Sequence, residues 1–335
     1  MSQHLGNHEP PPDTDPYTPP PAPSISHLDR VAYLFGYPIA HSLSPLLHST
    51  VYSGLNLNYE YILYESKSIE SCLALTTHPK FYGAAVTMPH KVAIIPFLDV
   101  LTPEAEAIGA VNTIFLSTAP PGIHGRRLLC GTNTDCIGIR EAILQNTPPS
   151  VSSAMRGQPG MVVGGGGTCR AAVYALKRFL GCSDVYLVNR DPVEIRDVID
   201  YCTAKGFGSG LREVASVAEA RALPGPRVVV SAIPDLAPRS EAELRTRAVV
   251  EFMLGKQLAG GKGCLLDMCY HPNPDTAISR LAGESGWRVI GGVEAMIWQG
   301  LEQDKIWLRR RVSTLPVEEV KRVFASKEPK EKARL

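Results

Sequence analysis

Three groups of residues in this 335-residue sequence have types and spacing suited to chemistry. The first is the run Gly164, Gly165, Gly166, Gly167, Thr168, Cys169, Arg170. A short apolar strand, 160–163, enters it, and a helix-forming segment, 170–180, leaves it. Glycine has no Cβ, so the backbone turns sharply and a pyrophosphate can approach the helix N-terminus. A second strand, 183–188, follows at the distance expected of a βαβ unit. Cys169 replaces the third glycine of G-x-G-x-x-G, so the pattern alone also fits a glycine-rich surface loop. The second group is Ser42 and Ser44, two hydroxyls where a strand meets a helix; such a pair either caps the helix or grips a carboxylate. The third is Lys91, at a strand end in Val86-Thr87-Met88-Pro89-His90-Lys91. A lysine there is a solvated charge unless a carboxylate lies near in space. Asp135, in Asn133-Thr134-Asp135, could supply one, and Asn112 another polar side chain. Lysine and aspartate are both groups able to act as a general acid or base.

Positioning these groups takes two successions of strands and helices. Strands are expected at 31–37, 59–64, 83–86, 110–116 and 128–130, the last two paired through the loop 117–125. Helices are expected at 44–53, with Ser44 as cap and Pro45 in the first helical position, at 68–75, after Pro89, and at 137–145. Residues 146–160, rich in Pro, Ser and Gly, read as a linker. Beyond the glycine turn, strands are expected at 227–231, 263–268 and 288–290, and helix over most of 293–325. Alternating strands and helices on both sides of the linker predict two α/β units with mainly parallel sheets. Ligands then bind outside the carboxyl ends of the strands. The expected division is an arm at 1–28, a first domain at 29–146, a second at 147–292, helices at 293–325 crossing back to the first, and a charged tail at 326–335. The arm carries eight prolines between Pro10 and Pro23 and too few apolar residues for a core, which predicts disorder.

Composition narrows the functional classes. Hydrophobic residues make up 44% and charged residues 20%, as in ordinary globular proteins. A net charge of +1 gives no footprint for nucleic acid or an anionic membrane. No apolar run approaches a membrane span and no secretory signal is visible. The eight cysteines are scattered without C-x-x-C or metal-finger spacing, which predicts reduced thiols, no metal and a cytoplasmic location. Nothing marks an oligomer interface.

Taken in order, the motifs resemble those of the shikimate/quinate dehydrogenase family, most closely its fungal members, over about residues 31–310. The matching segments are G-Y-P-I-A-H-S-L-S-P at 36–45, V-T-M-P-H-K at 86–91, G-A-V-N-T at 109–113 and G-T-N-T-D at 131–135. They continue with G-G-G-G-T-C-R-A at 164–171, Asn189-Arg190, D-M-C-Y-H-P at 267–272 and G-V-E-A-M-I-W-Q-G at 292–300. The resemblance implies an N-terminal α/β substrate-binding domain and a Rossmann-type dinucleotide-binding domain with a cleft between them. It implies NAD(P)-dependent oxidation of a small ring acid, quinate to 3-dehydroquinate or shikimate to 3-dehydroshikimate.

Carried over residue by residue, it puts Ser42, Ser44 and Tyr270 on the substrate carboxylate and Thr87, Asn112 and Gln299 on ring hydroxyls. Lys91 and Asp135 become the catalytic pair at the carbinol. Gly164, Gly165, Gly166, Gly167, Thr168, Asn189, Arg190, Asp191 and Gly292 fall at the cofactor, with Gly291 and Gly292 a turn or hinge. Burial favours a lysine's neutral, proton-accepting form; a neighbouring carboxylate opposes this but orients the amine. Two departures stand out. Ala85 replaces the family's usual Asn before V-T, so one hydroxyl contact is lost or supplied by another group. Ser49 follows His48 where the family has Asn. His41 and His90 flank the site and are expected to pack locally.

Relatives that use NADP resemble N-R-T-x-x-R at the 2′-phosphate clamp. Here Asp191 and Glu194 stand in place of the threonine and second arginine. Two carboxylates repel a phosphate, and Asp191 can accept from a ribose hydroxyl, which predicts NAD; Arg190 and Arg196 leave NADP possible. The alternatives are an NADP-dependent shikimate dehydrogenase, an orphan dehydrogenase of another hydroxylated ring acid, and a non-catalytic quinate-sensing regulator.

Overall fold

The computed structural model describes residues 18–118 and 127–327. Its strands form two six-stranded sheets. In the first, β1 (Arg30–Gly36), β2 (Tyr59–Glu65), β3 (Phe81–Val86), β4 (Val100–Leu101), β5 (Thr113–Thr118) and β6 (Arg127–Thr132) lie in the order β2-β1-β3-β5-β6-β4. Strands β1, β2 and β3 are parallel neighbours; β5 runs antiparallel to both β3 and β6. The sheet is thus mixed, because β5 and β6 form the pair expected around a loop that lies mostly outside the described residues.

The second sheet contains β7 (Gly160–Val163), β8 (Val185–Val188), β9 (Leu211–Glu213), β10 (Val228–Ser231), β11 (Cys264–Asp267) and β12 (Arg288–Gly291). Their order is β12-β11-β10-β7-β8-β9, and every pairing is parallel. Strands covered on both faces need near-continuous apolar sequence. Strands β7, β8 and β10 meet that need with GMVV, VYLV and VVVS, buried throughout. Counted within this half, the order is that of the doubly wound dinucleotide fold, whose switch point falls between β7 and β10.

The helices that matter for the site are α1 (Ser44–Gly54), α2 (His90–Ala93), α3 (Asp135–Asn146), α4 (Gly167–Tyr174), α5 (Pro192–Ala204), α6 (Glu241–Gly255) and α7 (Gly292–Leu308). Helix α4 passes into a π-helical turn at Ala175–Phe179, so the helix expected at 170–180 starts three residues earlier and changes winding midway. Helix α7 leaves β12 in the second unit and packs across the first. Trp307 Nε1 donates to the Ile114 carbonyl at 2.9 Å, and buried Asp304 meets His48 Nδ1 at 3.0 Å. Helices α3 and α7 cross closely because residue 138 is glycine: a Cβ there would lie 2.5 Å from the Ala295 carbonyl.

The N-terminal arm requires a correction. Residues 1–17 lie outside the described residues, but 18–28 run along the first sheet with Ile25 and Leu28 buried in its core. Lys80 Nζ fastens this stretch by donating to the carbonyls of Ser26 and Leu28 at 2.7 and 2.5 Å. Two apolar residues and one ammonium anchor outweigh the local proline content.

Candidate active site

The carboxyl ends of β1, β3, β10, β11 and β12 open onto one cleft of about 490 Å³ between the two units. The motifs at 36–45, 86–91, 267–272 and 292–300 arrive there by a loop leaving one of these ends or by the helix that follows, while Asn112 precedes β5, Asp135 follows β6 and Thr168 follows β7. Glu65 at the end of β2 fastens the serine loop, accepting from the backbone N–H groups of Ile39 and Ala40 at 2.8 and 3.0 Å. Gly36 lets that loop approach the lysine loop, since a Cβ there would lie 2.8 Å from the Met88 carbonyl.

Ser42 and Ser44 border the cleft, and neither caps α1. The helix begins at Ser44 with Leu43 in the cap position and no side-chain capping bond, which corrects the expected serine cap. The Ser44 N–H donates instead to Ser42 Oγ at 3.2 Å. That bond occupies a lone pair and leaves the Ser42 hydroxyl hydrogen free to donate.

Lys91 on α2 and Asp135 at the first position of α3 meet across the cleft floor. Lys91 Nζ donates to Asp135 Oδ2 at 2.6 Å, with side-chain exposures of 19% and 13%. The N-terminus of α3 adds favourable potential for the carboxylate. The other carboxylate oxygen accepts from Asn112 Nδ2 at 2.7 Å. Asn112 is fixed in turn, because its Oδ1 accepts the Thr134 N–H at 2.7 Å. Gln299 Oε1 joins this network, 3.3 Å from Asn112 Nδ2 and 3.2 Å from Thr134 Oγ1.

Thr87, Tyr270, Thr168 and Gly292 also border the cleft. Burial pushes the Tyr270 phenol above its ordinary range, so it stays a neutral donor. Gly292 is needed where α7 starts, since a Cβ there would lie 2.4 Å from the Met268 carbonyl. His90 is buried and anchored on the Ser66 carbonyl at 2.7 Å, whereas His41 stacks on His271 of the second unit at 4.7 Å. The first is local packing; the second bridges the cleft.

The glycine turn follows β7. Gly164 has φ +128°, and a Cβ there would lie 2.8 Å from Cys169 Sγ. Cys169 therefore packs beneath the turn, where burial pushes its thiol up to about 12 and keeps it protonated. Gly166 is exposed, and nothing lies within 4 Å of its missing Cβ. The turn, the N-terminus of α4 and the switch point coincide, so this chain's residues fit a dinucleotide phosphate. Asn189, Arg190 and Asp191 follow β8, outside the 490 Å³ cleft. Asp191 Oδ1 caps α5 through the Val193 N–H at 2.8 Å, and Asn189 Nδ2 donates to Glu194 Oε2 at 2.6 Å. A Cβ on Gly165 would lie 2.3 Å from that Glu194 oxygen, so the carboxylate stands directly beside the turn.

Motif reading overlooked Gln303, which also borders the cleft. Its spacing, one helical turn after Gln299, was the available signal.

These features define a two-domain α/β dehydrogenase. Residues 34–114 match the shikimate dehydrogenase substrate binding domain. The chain is 43% identical over 301 residues to the quinate dehydrogenase of Emericella nidulans, covering 86% of this chain and 90% of that protein. Among solved structures, it is similar to the dehydroquinate dehydratase and shikimate dehydrogenase portion of S. pombe AroM. That match has TM-score 0.71 and 33% identity, covering 88% of this chain and 52% of the other. It is also similar to shikimate 5-dehydrogenase from Thermus thermophilus in complex with NADP(H) and shikimate, with TM-score 0.66 and 28% identity over 88% of this chain and 99% of that one. The chain belongs to the shikimate/quinate dehydrogenase family.

Proposed function

We propose that this protein oxidises quinate to 3-dehydroquinate with NAD, and shikimate to 3-dehydroshikimate as a second reaction. The observation that carries the reading is the 2.6 Å Lys91–Asp135 pair in the same cleft as Ser42, Ser44 and Thr168. The 43% identity to a quinate dehydrogenase supports quinate as the ring acid.

Residues 29–146, with the helices of 293–325, hold the substrate, and 147–292 hold the dinucleotide. Ser42, Ser44 and Tyr270 donate to the substrate carboxylate. Thr87, Asn112 and Gln299 orient the ring hydroxyls. When bound, the nicotinamide ring supplies the hydride acceptor or donor. The Lys91–Asp135 pair takes the hydroxyl proton on oxidation and returns it on reduction. Asn112 holds the Asp135 carboxylate so that the pair faces the carbinol without rearrangement.

Gly164, Gly165, Gly166, Gly167, Thr168 and Gly292 would receive the dinucleotide. Asn189, Arg190 and Asp191 flank its ribose, and the exposed Glu194 beside the turn disfavours an added phosphate. The reading places the enzyme in the cytoplasm, consistent with eight cysteines that all stand as free thiols. Among the described residues no helix is long and apolar enough to cross a membrane.

Initial rates with quinate and shikimate, each crossed with NAD and NADP, test the proposal. Quinate with NAD should give the highest kcat/KM. A higher value for shikimate with NADP overturns both the substrate and the cofactor assignment.

A further inference from the structure

Two exposed imidazoles meet across the cleft. His41 and His271 both border it, and their rings stack with centroids 4.7 Å apart and planes 22° apart. That separation lies in the range of attractive ring pairs. Each ring is the direct sequence neighbour of a group read above as a carboxylate donor: His41 precedes Ser42, and His271 follows Tyr270. The serines belong to the first unit and the tyrosine to the second. The carboxylate site is therefore complete only while the two units are held together.

Each loop is already fastened to its own sheet. On the first unit, Glu65 accepts from the N–H of Ala40, the residue before His41, and the Ser42 N–H donates to the Ile39 carbonyl at 2.9 Å. On the second, buried Asp267 at the end of β11 accepts from the Cys269 N–H at 3.2 Å and from the Ser279 hydroxyl at 2.9 Å. A ring pair between two loops so fastened acts on the spacing of the units, not on the shape of either loop. Neither ring is spent on a core, because both are exposed. We propose that His41 and His271 are positioning residues that form a clasp: their stack holds Tyr270 beside Ser42 and Ser44, so that three donors converge on the carboxylate of the ring acid. The proposal rests on the ring-acid reading above and adds what holds its carboxylate site closed. Lys91 and Asp135 both stand on the first unit, so the clasp acts on binding and not on the proton step.

Steady-state kinetics of His41→Ala, His271→Ala, the double variant and His271→Phe, with quinate and shikimate, test it. Each alanine variant should raise KM for the ring acid about fivefold, with kcat within about twofold and KM for NAD unchanged. The double variant should lose no more than either single one, since both remove the same contact. His271→Phe keeps a ring to stack and should bring KM to within about twofold of wild type. Losses that add in the double variant, or a phenylalanine variant as weak as the alanine one, would show separate polar contacts in place of a clasp. A fall in kcat with KM unchanged would move the pair to the chemical step. Unchanged kinetics in the double variant would leave the stack without a role. Each of these results overturns the proposal while the ring-acid reading stands. Wild-type protein inactive on both acids would overturn that reading and the proposal with it.

Discussion

Arg190, just past the end of β8, is paired with Glu243 on α6: its Nη1 donates to Glu243 Oε1. Glu243 also closes a capping box, its Oε2 accepting from the Arg239 and Ser240 N–H groups at 2.9 and 3.0 Å. The guanidinium that the proposed cofactor site sets toward a 2′-phosphate is thus already held by a carboxylate that is itself held by a helix end. Asp191 and Glu194 supply repulsion in the same loop, so attraction is weakened and repulsion is present together.

Loosening that hold should shift cofactor choice. In Glu243→Gln the arginine loses its charged partner, and kcat/KM for NADP relative to NAD should rise about fivefold to tenfold. The crossed initial-rate assay reads it directly. An unchanged ratio would show that Arg190 does not reach the phosphate even when released.

The same carboxylate sets an acid limit. Backbone N–H groups of Ser240 and Arg239, then Arg190, hold the Glu243 pKa down to about 2, below its ordinary 4.5. A depressed carboxyl pKa contributes stability that is complete above the unfolded value and lost as pH falls through the folded one. The Glu243 contribution should therefore disappear between pH 4.5 and about 2. Thermal melts across that window should show a shallower acid loss in Glu243→Gln than in the wild type. Parallel curves would contradict the assignment.

Removing the amine should stop the chemistry without emptying the cofactor site. Lys91→Ala should lower kcat by about a thousandfold, within the usual range for a general acid–base group. NAD binding, followed by fluorescence titration, should be unchanged, because Lys91 lies on the first unit. Turnover within about tenfold of wild type would remove Lys91 from the proton step.

Gly83 tests how α7 is seated. A Cβ there would lie 2.3 Å from Trp307 Nε1, the atom that donates to the Ile114 carbonyl. Gly83→Ala must push the indole off that bond and should cost about 1–3 kcal/mol in urea denaturation. Wild-type stability would mean that the helix shifts freely over the sheet.

Local pattern exposed much of this architecture. The short apolar strands of the second sheet and the glycine turn between β7 and α4 are dictated by neighbours in sequence, and so were legible. The Lys91–Asp135 pair was legible as two strand-end motifs, but their 2.6 Å contact depends on a sheet order that no local rule supplies. Ser44 misled because a serine before a proline is a statistical cap; here Ser42 turns back on the Ser44 N–H and α1 starts without one. The stretch 18–28 misled because its composition hides Ile25 and Leu28, whose burial depends on a distant sheet face. Gln303 was missed because no motif carries it and its hydrogen-bond partners, Thr113 and the Asn112 carbonyl, lie nearly two hundred positions earlier.

Helix α7 has a consequence for the order in which the protein becomes functional. The substrate face of the first sheet is built from residues before 133, yet it is covered by Gln299, Gln303 and Trp307 of a helix made more than 150 residues later. On the ribosome, the first unit must wait while the entire dinucleotide unit is synthesised, its tyrosine-lined face at Tyr61 and Tyr82 lacking its lid. The first unit is then not complete without the last long helix. The last long helix completes both the core of the first unit and the cleft, so structural integrity and competence to bind substrate arrive at the same moment.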